Sequence, residues 1–346
     1  MPRSRGGMKV EAVTWAKNPD DPAANEDRYL VVPGRAYAVI DGVSDKTGLK
    51  FDGLTGGQIA GRIVEQSIRH ACDRPAADEV TAGELIGCFN ERIHKAYLEY
   101  GLVESGRVAP PARFGAQLVL ALQGRERFRF IVVGDCGLRL NGREVFLTTY
   151  PMDVIASRIR KFVWHHLREK RAEDELVETV ARNYTLAGLA ATLPATTRWP
   201  ETARWLDAAA LGAIRDKALA ELATILPEVE RGIIAEALDG GLAGQHRYRN
   251  RIHPLGYPAL DGTPIPPELV VEFVRPVDSL ETVEMFSDGY FGCAAGSTAA
   301  DWEAWHARVE AEDPARVGAH PSTKGSYDGR FADDRTVVIL RHRSHV

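Results

Sequence analysis

The chain is poor in cysteine: Cys72, Cys88, Cys136 and Cys293 are the four among 346 residues, and no two form a Cys-x-x-Cys pair. That spacing signals neither a zinc knuckle nor a disulfide framework, and it leaves the four as small core residues. No apolar run approaches the roughly 20 residues of a membrane span. Arg3 and Arg5 near the N-terminus are not followed by the apolar stretch of a secretion signal, so no membrane association is expected and the cytoplasm is the default location. Charge of one sign is also lacking. The 43 Lys and Arg against 48 Asp and Glu give a net charge of -5 with both signs dispersed, so there is no basic field for nucleic acid. His-Glu-x-x-His, Cys-x5-Arg and an evident Ser-His-Asp arrangement are all missing, as are internal repeats and low-complexity tracts.

What is present is a globular composition, 45% hydrophobic, organised in three blocks. Alternation predicts a strand over Met8 to Trp15 and a hairpin of Tyr29 to Val32 with Ala36 to Ile40, turning at Pro33-Gly34. Ile59, Ile63, Val64 and Ile68 recur at helical spacing. Leu85, Ile86, Phe89, Ile93 and Tyr97 do the same behind a capping box opened by Thr81 and closed by Glu84. After Pro110-Pro111 the period becomes two, through Leu118 to Leu122, Phe128 to Val132 and Leu138 to Leu140. There Asn141-Gly142 marks a second hairpin. From Asp153 to about Gly244 the pattern is helical, and beyond it strands return, with one more helix between Asp301 and Glu310.

Acidic residues stand where apolar strands end: Asn25-Glu26-Asp27, Ile40-Asp41-Gly42, Gly134-Asp135, Ser287-Asp288-Gly289 and Asp333-Asp334. Asp-Gly is a common turn dipeptide, and this chain has six. Asp41 and Asp288 differ from the rest because each closes a short apolar run of the kind that forms a buried strand, whereas Asp239-Gly240 ends a helical pattern. Carboxylates on rigid strand ends, distant in sequence, are how a fold assembles an oxygen-lined site for a hard divalent cation. His165-His166 and the basic run Arg158, Arg160, Lys161, Arg168, Lys170 and Arg171 read as a solvated helix face.

In order and strand context these motifs resemble the type 2C metal-dependent Ser/Thr protein phosphatases. Asn25-Glu26-Asp27, Asp41-Gly42, Phe114-Gly115-Ala116-Gln117, Gly134-Asp135-Cys136, Ser287-Asp288-Gly289 and Asp333-Asp334-Arg335-Thr336 match the family's six short motifs in sequence, spanning Glu26 to Thr336. The resemblance implies an α+β fold, a two-layer antiparallel β-sandwich flanked by helices (α-β-β-α), with the metals at one edge. Its core would be 8–152 and 245–346, interrupted by a helical insertion at 153–244 that could dock a partner.

It further implies two Mg²⁺ or Mn²⁺ ions, bridged by Asp41, with the Gly42 carbonyl on one and Asp288 and Asp333 completing the other. Glu26 and Asp27 would act through waters, and Asp135 would hold a weak third ion. The catalytic group would be a metal-activated water rather than a side chain, attacking a phosphorylated protein substrate. Departures are local. The Arg that members carry before the first acidic motif is replaced by Asp20-Asp21-Pro22-Ala23-Ala24, leaving Lys17 as the nearest cation on that side and Arg247 and Arg249 as alternative phosphate contacts. Val43 stands where the family commonly has a His or Met, and Gly292 where many members have an Asp. A regulatory module with little turnover and a hydrolase of a small phosphorylated metabolite are the other readings.

Overall fold

The computed structural model describes residues 8–43, 48–73, 79–104, 107–109, 112–191 and 201–342. Its strands are β1 (Met8–Trp15), β2 (Arg28–Val32), β3 (Ala36–Gly42), β4 (Val103–Glu104), β5 (Arg107–Val108), β6 (Ala116–Gln123), β7 (Arg127–Val133), β8 (Gly137–Leu140), β9 (Glu144–Phe146), β10 (Val271–Pro276), β11 (Thr282–Phe286) and β12 (Arg335–His342). Helices are α1 (Gly56–Cys72), α2 (Ala82–Glu99), α3 (Pro151–Glu169), α4 (Asp174–Ala187), α5 (Thr202–Trp205), α6 (Ala208–Ile225), α7 (Arg231–Gly240) and α8 (Ala299–Glu312).

Local chemistry places the turns where the dipeptides predict them. Asn141 and Gly142 both have positive φ, 53° and 68°, and Arg143 N–H closes the turn onto the Leu140 carbonyl at 3.1 Å. That is the geometry whose twist matches paired strands. Gly34 has φ 74°, and Arg35 N–H bonds Val32 O at 2.9 Å between β2 and β3. Thr81 and Glu84 form the expected capping box, and Thr55 with Gln58 forms a second one that opens α1. Helix α3 starts two residues earlier than Asp153, because Pro151 can occupy the first helical turn without losing a hydrogen bond.

Two five-stranded antiparallel sheets result, ordered β1-β12-β11-β8-β9 and β10-β7-β6-β3-β2, with β4 and β5 as a separate ribbon. The period-two pattern decides the layers. Tyr37, Val39, Val119, Phe128 and Phe130 of one sheet meet Leu138, Val283, Met285, Val338 and Leu340 of the other. The alternate residues Ala38, Ile40, Leu118 and Leu120 face α1 and α2. On the far side Phe286, Val337 and Ile339 pack on Trp302 of α8. This is the α-β-β-α sandwich. Fully buried side chains such as Leu120 contribute about 1.5–3 kcal/mol each by burial.

Helices α3, α4, α6 and α7 converge on an apolar cluster of their own, built around Ile155, Ile159, Val163, Leu176, Leu222 and Ile234. The basic run is solvated at Arg168, Lys170 and Arg171 but departs from a solvated face in its first half. Arg160 is completely buried, bonded to Glu178 at 3.1 and 2.6 Å and to the Ala315 carbonyl at 3.0 Å, while Arg158 and Lys161 both reach Glu221. Burial of that guanidinium is tolerated because partners on two sides take its hydrogens. All four cysteines are free thiols. No helix among the described residues is long and apolar enough to cross a membrane.

Candidate metal centre

Three strand ends meet at one edge of the sandwich. Asp41 ends β3, Asp135 sits in the turn from β7 to β8, and Asp288 follows β11. Their carboxylates offer one oxygen each within 4.8 Å of one another. The turn carrying Asp135 is held by Gln117 of β6, whose side-chain carbonyl accepts the Asp135 N–H. Gly134 adopts φ 96°, and a Cβ there would lie 2.2 Å from Gln117 Oε1. Gly42 is needed for a different reason: its Cβ would come within 2.7 Å of the Glu26 carbonyl, where α1 and the first acidic motif close on β3.

Burial pushes the Asp41 carboxyl well above the usual range, and the charges of Asp27, Asp288 and Asp135 add to it. Asp135 is raised by burial and then by Asp288 and Asp153. Asp288 is raised to about 6 by burial and by Asp333. Asp135 Oδ1 is buried without any hydrogen-bond partner, and no salt bridge reaches Asp41, Asp135 or Asp288 among the described residues. Lys324 lowers Asp288 from beyond salt-bridge distance, but burial and Asp333 outweigh it. Three crowded carboxylates, one with an orphaned oxygen and none in a salt bridge, fit a hard divalent ion.

The other candidates lie close by in different surroundings. Asp27 is buried and accepts the Ser287 hydroxyl at 2.6 Å, which fixes the start of the β11 turn; burial and then the Asp334 charge push its carboxyl up. Glu26 accepts Thr55 Oγ1 at 2.6 Å and pairs with Lys17 Nζ at 3.1 Å. Asp333 pairs with Lys324 at 2.7 Å and lies 3.8 Å from Lys17. Burial alone would raise Asp333, but the two ammoniums outweigh it and hold the carboxyl below the usual range.

Arg247 and Arg249 are not brought to this edge. Arg247 turns onto Glu236, and Arg249 is bound to Tyr257 and to fully buried Asp261. Beside the trio runs a cleft of about 430 Å³, lined by Asp135, Asp153, Arg158, Asp288, His320 and Thr323. Asp153, in the first turn of α3, and Lys324 carry no signal in the sequence. An acidic residue in a first helical turn is too common to signal a site, and nothing near Lys324 in sequence marks it.

No family model and no curated protein matches the chain. Solved structures that resemble it include the catalytic domain of the serine/threonine phosphatase PstP in complex with two manganese ions. That structure is 13% identical over 97% of this chain and 98% of the other, at a TM-score of 0.44. The Mycobacterium tuberculosis phosphatase PstP/Ppp is 15% identical, with 98% and 100% coverage and a TM-score of 0.43. Staphylococcus aureus Stp1 is 11% identical, with 99% coverage of both chains and a TM-score of 0.43. Superpositions this loose add nothing to the topology and site already described.

Proposed function

We propose that this chain is a metal-dependent phosphomonoester hydrolase acting on phosphoserine or phosphothreonine in proteins. The observation that carries the proposal is the trio of Asp41, Asp135 and Asp288, which no salt bridge reaches among the described residues, with Asp135 and Asp288 lining a cleft. The order of the six acidic and glycine motifs supports the same reading. Mg²⁺ or Mn²⁺ suits the oxygen-only donors, and such an ion would supply Lewis-acid activation of water and neutralise phosphoryl charge.

The chain's own residues shape what surrounds that chemistry. Gln117 orients Asp135, Ser287 pins Asp27, whose charge acts on Asp41, and Arg158 and His320 line the cleft where a phosphorylated segment would lie. We read 8–152 and 245–346 as the catalytic core and 153–244 as an insertion, because the helices have a separate apolar cluster. The insertion's face beside the cleft is where a protein substrate or partner would dock. Free thiols fit a reducing cytoplasm.

A second reading, a binding module with little turnover, is favoured by the two lysines that lie among the remaining carboxylates. Hydrolysis of an aryl phosphate and of a phosphothreonine peptide with Mn²⁺ decides between them. Turnover that disappears in Asp41→Ala and Asp288→Ala supports the hydrolase. Absent turnover, or turnover indifferent to both changes, ends it.

A further inference from the structure

We infer that this edge binds one divalent ion rather than two, because Lys17 and Lys324 hold the place of the second. The inference rests on the metal-dependent reading above and concerns the half of the acidic floor that the trio does not include. That half holds Glu26, Asp333 and Asp334. Lys17 Nζ lies 3.1 Å from Glu26, 3.1 Å from Asp334 and 3.8 Å from Asp333, and Lys324 Nζ lies 2.7 Å from Asp333. Three carboxylates meet two ammoniums, which together carry the charge of one divalent ion.

The backbone that carries each lysine is held in place. The Lys17 backbone N–H donates to Asp334 Oδ1 at 2.7 Å, and the Lys17 carbonyl accepts Phe331 N–H at 2.8 Å, so the residue is clamped between β1 and the segment entering β12. Asp334, which takes both the backbone and the ammonium of Lys17, also accepts Glu26 N–H at 3.1 Å. Lys324 precedes Gly325, where a Cβ would lie 2.3 Å from the guanidinium of fully buried Arg160. Ser326 fastens the same loop through the Pro314 carbonyl at 2.7 Å and Ala332 N–H at 2.9 Å.

A divalent ion entering this half would have to displace or face both ammoniums at contact distance. An ion entering the trio meets three carboxylates and no paired cation. The donor sets are therefore unequal although both are acidic. The trio takes the ion, and the lysine half presents positive charge next to it.

The test is calorimetric titration of Mn²⁺ into the metal-stripped full chain, for wild type, Lys324→Gln, Lys17→Gln and the double variant, with thermal melts to confirm folding. Lys324 is the safer first change, its side chain being 42% exposed. The expected result is one ion per wild-type chain and a second binding event in the variants, at least about tenfold tighter than any weak second event in wild type. Asp288→Asn in the double variant should remove the first event and leave the second.

Two equivalent ions in wild type would overturn the inference while leaving the hydrolase reading intact. So would a single ion in every lysine variant. No ion in any protein would overturn both.

Discussion

Asp288 and Asp333 stand at the ends of β11 and β12, neighbouring strands of one sheet, yet their carboxyls are pushed in opposite directions. Burial and the charge of Asp333 raise Asp288 to about 6. Burial acts on Asp333 as well, but Lys324 and Lys17 reverse it and hold that carboxyl low. The two strand ends share residue type, sheet and edge. What separates them is how closely the cations approach: Lys324 acts on Asp288 from beyond salt-bridge distance and is outweighed by burial and Asp333, whereas Lys324 and Lys17 lie 2.7 and 3.8 Å from Asp333. An acidic edge is thus not one site by virtue of its composition; its halves are set by the cations the fold delivers.

The strongest way to break this comparison is at the half without a salt bridge. Asp41→Ala and Asp288→Ala are each expected to lower Mn²⁺-dependent phosphatase activity by about a thousandfold or more, measured as kcat/KM on a phosphothreonine peptide. Chelation should do the same to the wild type. Next comes the support of the lysine-bearing loop. Arg160→Ala strands Glu178 and frees the Ala315 carbonyl. It should destabilise the protein by about 3 kcal/mol in urea unfolding, with Arg160→Met costing less because it fills the volume. A smaller effect is expected from Gln117→Leu, which leaves Asp135 N–H without its acceptor. Mn²⁺ affinity should fall roughly 10- to 100-fold by calorimetry, as for other groups that orient a ligand.

The smallest effect concerns pH. A carboxyl raised in the folded state to about 6 from 3.8 favours folding fully below about pH 4, and that contribution is lost as pH rises through 6. Metal-free Asp288→Asn should therefore be more stable than wild type at pH 7, by about 1–2 kcal/mol, and equal to it near pH 4. Adding Mn²⁺ should reverse the order at pH 7. A variant that is equally stable at both pH values would show that the trio is not crowded as described.

Much of the sandwich was legible because its signals are local. A strand alternates within seven or eight residues, a type of turn is written in Asn141-Gly142, and a capping box closes over Thr81 and Glu84. The site's carboxylates were legible for the same reason, since each ends its own strand. The pairing of cations was not. Lys17 and Asp334 lie 317 residues apart in the chain, and nothing beside Lys17 announces its partner. Arg160 read as solvated because its neighbours are charged. Its burial depends on the segment around Ala315, which α3 meets only after folding. Asp153 reads in the sequence as the start of a helix, and its influence on Asp135 appears only when α3 packs against the strand edge.

The sequence by itself therefore determined the strands, the turns and the placing of acidic residues at strand ends, because these depend on spacing and backbone preference over a few residues. Tertiary structure alone decided that Asp41, Asp135 and Asp288 converge without a salt bridge among the described residues while Asp333 and Asp334 receive two lysines. Charge interactions depend on separations of a few ångströms and on the water excluded between the groups, and only strand pairing and loop docking bring distant residues to such distances.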